Sequence, residues 1–245
     1  MVANVGMTLP DTRRSELRRS ARATGLLYLG LAVTGLLGAL LVRSHLYADD
    51  SASKTFANLS AHRSLARFGI ALELGVVLFQ ALTAVWFYRL FRGLDAFRAA
   101  LIVVFGMVNA TAILGSAALL ASALDTVTNP SSTAHASRAT TAQVLYMTSG
   151  HLWDAAGLFF GLWLVPMGSL AARSGWLPRP LGRLLIVGGV GYVVSAFLSS
   201  MFGSGDTLGQ VLTLPATAGE VWIVGYLLAA GVRRNWPSRV ASSRT

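Results

Sequence analysis

The chain has 245 residues, of which 54% are hydrophobic and only 12% are charged, so it lacks the charge that solvates the surface of an ordinary soluble domain. Its formal net charge is +10, and it contains no cysteine, which excludes disulfides, thiolate metal ligands and a cysteine nucleophile. These values favour a membrane protein.

Six apolar segments are each about as long as the 20 residues needed to cross a hydrocarbon core. They are continuous rather than alternating, which is typical of membrane helices and not of barrel strands. The sequence therefore predicts an all-α, polytopic bundle with one transmembrane domain, residues 23–232, between basic tails at residues 1–22 and 233–245. The predicted spans are residues 23–42, 68–91, 99–124, 144–172, 184–202 and 214–232.

Two connections on the predicted outer side differ in composition. Residues 43–67 include Phe56 and Leu59 at helical spacing, which predicts a short surface helix. Residues 125–143 are rich in Ser, Thr, Ala and Asn, which predicts a solvated loop.

Small residues and prolines indicate how the later spans pack and end. Pro178 and Pro180 predict that one helix stops and the next begins between spans four and five. Gly191, Ser195 and Ser199 lie four residues apart in span five, a spacing that lets membrane helices approach closely. We expect this line to serve helix packing rather than a substrate path.

The basic residues alternate between the connections in a way that predicts orientation. Fifteen of the 20 lie in the amino-terminal tail, the second and fourth connections and the carboxyl-terminal tail. By the positive-inside rule, both termini lie in the cytoplasm. A nucleic-acid partner is then unnecessary to explain the charge. Besides the bilayer itself, the expected partners include anionic lipid head groups, which the arginines of the two tails could bind.

Three carboxylates interrupt the apolar spans, namely Glu73, Asp154 and Glu220. An ionised group in hydrocarbon is costly unless it has a partner or a water-filled cavity, so such residues mark candidate functional sites. With the predicted topology, all three fall in the outer half of the membrane. The sequence therefore predicts one polar cluster at that depth.

Neighbouring polar residues extend this cluster. His151 lies three residues before Asp154 and shares its helix face, while Gln80 lies seven residues after Glu73 on the same face. Arg67, near the start of span two, is the candidate counter-ion. The predicted ligand-binding or proton-binding residues are Glu73, His151, Asp154, Glu220, Arg67 and Gln80.

Several interpretations of these residues remain open. The cluster could form a pocket for a small cationic solute or for protons, or it could lock helix packing in a structural or regulatory membrane partner. A third hypothesis is an intramembrane hydrolase, but the sequence lacks HExxH, GxSxG, P-loop and GxGxxG motifs and favours no enzyme. No catalytic residue, metal site or cofactor is predicted. We expect Asn109 to bond between helices and Trp153 to join an interfacial aromatic belt.

The segment GLFFGLWLVPMGSLAARSGWLPRPLG, residues 157–182, resembles the signature of domain-of-unknown-function family 4386, bacterial membrane proteins with six spans. Arg67 followed six residues later by Glu73 is similar to the start of that family's second span, and YRLFR at residues 88–92 is similar to its end. The family's fifth and sixth spans are matched by GGVGY at residues 188–192 and by residues 215–220.

The resemblance covers roughly residues 23–232. It implies an integral, multi-pass protein of the bacterial cytoplasmic membrane. Because the family has no established activity, the resemblance assigns no role to any residue.

Overall fold

A computed structural model describes residues 11–129, 135–202 and 207–230, and these residues are helical with short turns and no strand. The helices follow one another along the chain. They are α1 (Asp11–Leu37), a π-helical turn (Gly38–Arg43), α2 (Ser44–Leu46), α3 (Ala52–Ala61), α4 (Arg63–Phe91), α5 (Ala96–Thr128), α6 (His135–Ser174), α7 (Arg179–Phe202) and α8 (Thr207–Ala229).

Six stretches of helix are long and apolar enough to cross a membrane, which confirms the predicted all-α, six-span class. The first of them runs from Ser15 to Leu46 because α1, the π-helical turn and α2 are continuous. The helices extend past the predicted apolar limits, since helical hydrogen bonding continues into the polar flanks. This extension brings Arg43, predicted to lie in a connection, into the first membrane helix.

The prediction of a solvated loop over residues 125–143 is wrong for most of that segment. Helix α5 continues to Thr128 and α6 begins at His135, while residues 130–134 lie outside the described part of the chain. Ala139 and Ala142 are buried in an apolar cluster, so tertiary packing outweighs the polar composition. The hydroxyl of Thr141 donates to the Ser137 carbonyl, so its hydrogen bond is satisfied within the helix.

The chain forms two compact units, called unit 1 and unit 2 below. Unit 1 comprises residues 1–26, 85–103 and 161–245, and unit 2 comprises residues 27–84 and 104–160.

Unit 2 includes the short helix predicted in the first outer connection, and α3 confirms it. Phe56 and Leu59 of α3 are buried in an apolar cluster together with Leu46, Leu72 and Leu124. The Ser51 hydroxyl caps α3 by accepting a hydrogen bond from the Lys54 backbone N–H.

Unit 1 packs its helices through glycine. A Cβ atom at Gly161 would lie 2.6 Å from the Gly189 carbonyl oxygen, and one at Gly188 would lie 2.4 Å from the backbone of Ala216. A Cβ atom at Gly191 would overlap the Leu212 carbonyl oxygen, which supports the packing role expected of that residue.

The turn between α6 and α7 follows the predicted proline signal. Helix α6 ends at Ser174, whose hydroxyl accepts a hydrogen bond of 3.1 Å from the Leu177 backbone N–H. Gly175 has a φ angle of 72°, a conformation that glycine adopts without steric cost. Pro180 lies in the first turn of α7, where its missing N–H breaks no helical hydrogen bond.

Candidate functional site

Glu73 of α4 is the centre of a buried polar cluster in unit 2. The residue is 4% exposed, and its carboxylate Oε1 lies 2.5 Å from Arg43 Nη2. The same oxygen accepts a hydrogen bond of 3.2 Å from Trp153 Nε1, and Oε2 accepts one of 2.9 Å from the Ser116 hydroxyl. Both carboxylate oxygens are therefore bonded, as a buried charge requires.

Arg43 reaches this carboxylate from the end of the π-helical turn. The Ser44 backbone N–H bonds to the Ala39 carbonyl, five residues earlier, so the turn holds one residue more than an α-helical turn. Such an extra residue changes the direction in which the following side chains point. The guanidinium also donates to the Ser116 hydroxyl at 3.2 Å.

Two aromatic rings flank the Arg43 guanidinium. Its Cζ atom lies 5.9 Å from the ring centre of Tyr146 and 5.8 Å from that of Trp153. Both distances are within the range of cation–π attraction. The guanidinium thus has an anion, a hydroxyl and two aromatic faces as neighbours.

The segment after α2 is held against α6 beside this cluster. The Tyr47 ring stacks on Tyr146 with 4.1 Å between ring centres, and the Tyr146 hydroxyl donates to Asp49 Oδ1 at 3.0 Å. Gln143 Nε2 donates to the Ala48 carbonyl at 2.9 Å. Burial raises the pKa of the Tyr47 hydroxyl, although the Arg43 charge opposes this, so the phenol stays neutral at physiological pH.

A cavity of about 460 Å³ opens beside the ion pair, entirely within unit 2. Its charged lining consists of three carboxylates, Asp49, Glu73 and Asp154, and one guanidinium, Arg43. When all four are ionised, the lining has a formal charge of −2. Tyr146 and Trp153 supply aromatic surface, while glycine and alanine of the first membrane helix add little side-chain volume to the lining.

The structure brings two of the three predicted carboxylates to this cavity. Asp154 lines it with a side chain that is 59% exposed, and Asp154 Oδ2 lies 3.8 Å from His151 Nδ1, so the predicted pairing along one helix face is present. His151 itself is 71% exposed. Glu220 is half-buried on α8 and belongs to unit 1.

The remaining predicted residues, Arg67 and Gln80, lie on α4. Arg67 is exposed, and the cation in contact with Glu73 is Arg43 instead. The reason is that the first membrane helix continues through its π-helical turn and presents Arg43 to α4. Gln80 is 1% exposed, and its Nε2 has no hydrogen-bond partner among the described residues.

Sequence reasoning missed Arg43, Asp49, Ser116 and Tyr146 and gave Trp153 a different environment. Arg43 ends an apolar run, so a helix continuing past the predicted limit of span one was the signal that could have found it. Ser116 is a small hydroxyl in an apolar span, and nothing in the sequence marks it as an acidic residue's partner. Trp153 bonds to Glu73 rather than serving only an interfacial belt.

The described residues contain no group of three His, Asp or Glu side chains that could hold a metal ion. Asn109 is buried, and its Nδ2 donates to the Ala156 carbonyl at 2.8 Å, as expected of a residue bonding between helices. The carboxylate cluster, the cavity and this hydrogen bond all lie in unit 2.

No curated protein and no solved structure is significantly similar to the chain. A family match does exist, to the family described as Domain of unknown function (DUF4386), and it covers residues 23–231. This range includes every described residue of the six membrane helices except residues 11–22 of α1. The chain therefore belongs to the DUF4386 family, as its sequence motifs predicted.

Proposed function

We propose that this integral membrane protein binds a small organic cation in the cavity of unit 2. The observation that carries the proposal is the excess of negative charge in the cavity lining. Arg43 neutralises Glu73, and this leaves Asp49 and Asp154 facing the same space without a cationic side chain of their own among the lining residues.

The chemistry of the lining favours a cation with some apolar surface. Carboxylates grouped in one cavity attract positive charge more strongly than a single carboxylate in bulk water does. The rings of Tyr146 and Trp153 offer faces that attract cations. The volume of about 460 Å³ is in the range of small-molecule sites. A proton alone would need no such space.

The charge of the two units supports an orientation and a location for this site. Among the described residues, unit 1 has eleven arginines and four carboxylates, whereas unit 2 has five basic and five acidic residues. Under the positive-inside rule, this excess of arginine supports a cytoplasmic location for both termini. We propose the bacterial cytoplasmic membrane as the location and anionic lipid head groups as partners of the basic tails.

A second candidate function is favoured by the complete bonding of Glu73. An acid that accepts hydrogen bonds from Arg43, Ser116 and Trp153 needs no solute to satisfy it. The cluster would then hold the helices of unit 2 in register within a structural or regulatory membrane protein. Asp154 separates the two candidates, because it lines the cavity outside the ion pair.

The test compares Asp154→Asn with Asp125→Asn, an exposed acid of the same unit that does not line the cavity. Protein in lipid nanodiscs is titrated with ethylammonium chloride against sodium chloride of equal ionic strength, and binding is measured by calorimetry and thermal stabilisation. We expect wild type and Asp125→Asn to bind alike and Asp154→Asn to bind about tenfold more weakly, which corresponds to about 1.4 kcal/mol.

Two results would contradict the proposal. If ethylammonium neither binds nor stabilises wild type, the cavity is not a site for this class of cation and the locking function is favoured. If both variants lose affinity equally, the attraction comes from the net charge of the unit rather than from the cavity.

A further inference from the structure

We infer that the Arg43 guanidinium occupies the position of the ligand's own cationic group, and that the ligand is an alkylguanidinium that displaces it. This inference rests on the proposed function and specifies both the chemical class of the solute and the residue that competes with it. The cation seat, as we call this position, consists of the Glu73 carboxylate, the Ser116 hydroxyl and the rings of Tyr146 and Trp153.

The seat matches a planar cation with several donors. Arg43 Nη2 contacts both Glu73 and Ser116, while its Cζ lies within 6 Å of two aromatic rings. A guanidinium combines directed N–H groups with a flat face that stacks on rings, whereas an ammonium is a compact and strongly hydrated charge. Groups arranged around one guanidinium will recognise another of the same shape.

Arg43 is also placed so that it can leave. Its side chain is 22% exposed and lines the cavity, so part of the guanidinium-bearing side chain borders the space that a solute would occupy. Once displaced from Glu73, the arginine would remain beside a cavity whose other carboxylates are Asp49 and Asp154. Its charge therefore need not be left without a partner when a ligand takes the seat.

The π-helical turn is the part of the helix whose conformation would change in this exchange. Such turns are rare and occur frequently at functional sites. The turn Gly38–Arg43 ends at the arginine itself, and Gly38 and Ala39 line the cavity. A local change of helical pattern would redirect Arg43 without moving α4.

An arginine held in the seat competes with a free ligand at a high effective concentration, of millimolar order or above for a short tether. Removing the competitor should therefore strengthen cation binding. Arg43→Lys removes the planar group but keeps the charge, and should compete less well than arginine. We expect wild type to bind an alkylguanidinium most weakly, Arg43→Lys to bind it more tightly and Arg43→Ala to bind it most tightly.

The experiment is calorimetric titration of the full chain in nanodiscs with ethylguanidinium chloride. N-ethylurea serves as the neutral molecule of the same shape. We expect Arg43→Ala to bind ethylguanidinium at least about tenfold more tightly than wild type, with no binding of N-ethylurea. Glu73→Gln, which removes the seat's charge, should abolish this gain when combined with Arg43→Ala.

The outcomes separate this inference from the proposed function. If wild type binds ethylguanidinium through Asp154 but neither Arg43 variant binds it more tightly, the seat is not exchangeable and only this inference fails. If no variant binds any cation, both fail. If Arg43→Ala is recovered folded only with ethylguanidinium present, the ligand has filled the seat. If ethylguanidinium does not restore Arg43→Ala and Arg43→Lys gains no affinity, the inference is overturned.

Discussion

Replacing Arg43 by alanine should destabilise the protein far more than replacing Arg67 by alanine. Arg43 is the cation in contact with buried Glu73, whereas Arg67 is exposed on the same helix as that acid. The two substitutions remove the same side chain and the same charge. Any difference between them therefore reports the surroundings of the arginine.

The expected size follows from what Arg43→Ala leaves behind. Removing one partner of a buried ion pair typically costs about 3–5 kcal/mol, because the other charge remains buried. Glu73 is 4% exposed but keeps its bonds from Ser116 and Trp153, so we expect the lower end, about 3 kcal/mol. Arg67→Ala should change the free energy of unfolding by no more than about 0.5 kcal/mol.

The assay is reversible unfolding of purified protein in mixed micelles, followed by helical circular dichroism as denaturing detergent increases. The double variant Arg43→Ala, Glu73→Ala completes the cycle and should lose less than the sum of the single variants, by about 1–3 kcal/mol. An Arg67→Ala cost equal to that of Arg43→Ala would refute the assignment of the counter-ion. Strict additivity in the cycle would show that the pair contributes nothing to folding.

Further predictions concern packing and buried polarity. Gly188→Ala should destabilise by about 1–3 kcal/mol because the new methyl group overlaps a neighbouring helix backbone. Gly225→Ala, whose new methyl group meets nothing within 4 Å, should be neutral or stabilising by up to about 1 kcal/mol. Gln80→Leu should be neutral or stabilising, since it removes a buried amide nitrogen that has no hydrogen-bond partner. Asn109→Leu should lower the free energy of unfolding by about 0.6–1.7 kcal/mol, because it removes a hydrogen bond between helices. The same unfolding assay measures all four, and an equal cost for both members of either pair would contradict the packing or the hydrogen-bond argument.

The class of the fold was predictable because length and hydrophobicity determine which segments can cross a membrane. Helix ends were less predictable, since hydropathy detects where hydrocarbon could begin and not where helical hydrogen bonding stops. Ala139 and Ala142 illustrate this difference: they lie in a segment of loop-like composition but are buried. Alanine has high helix propensity, and buried neighbours outweighed the serines and threonines around it.

Only two of the three carboxylates that line the cavity were predictable from the sequence. Glu73 and Asp154 are conspicuous in apolar spans, and both line the cavity. Their partners were not conspicuous, because Arg43 follows an apolar run and Ser116 resembles any small residue of a membrane helix. Pairing Glu73 with Arg43 depends on a π-helical turn, a local feature that hydropathy does not encode.

The locking function and the exchange of Arg43 for a ligand make opposite use of the same ion pair. If the pair only locks the helices, its strength contributes to stability alone. Every substitution that weakens the contact of Arg43 with Glu73 then lowers stability without changing the affinity for a solute. If a ligand displaces Arg43, the pair must be strong enough to balance the charge of Glu73 when the cavity is empty and weak enough to open when the ligand enters. A conservative Arg43→Lys substitution therefore distinguishes them: lost stability accompanied by gained alkylguanidinium affinity supports an exchangeable pair, whereas lost stability alone supports a pair that stays closed, whether or not the cavity binds a cation through Asp154.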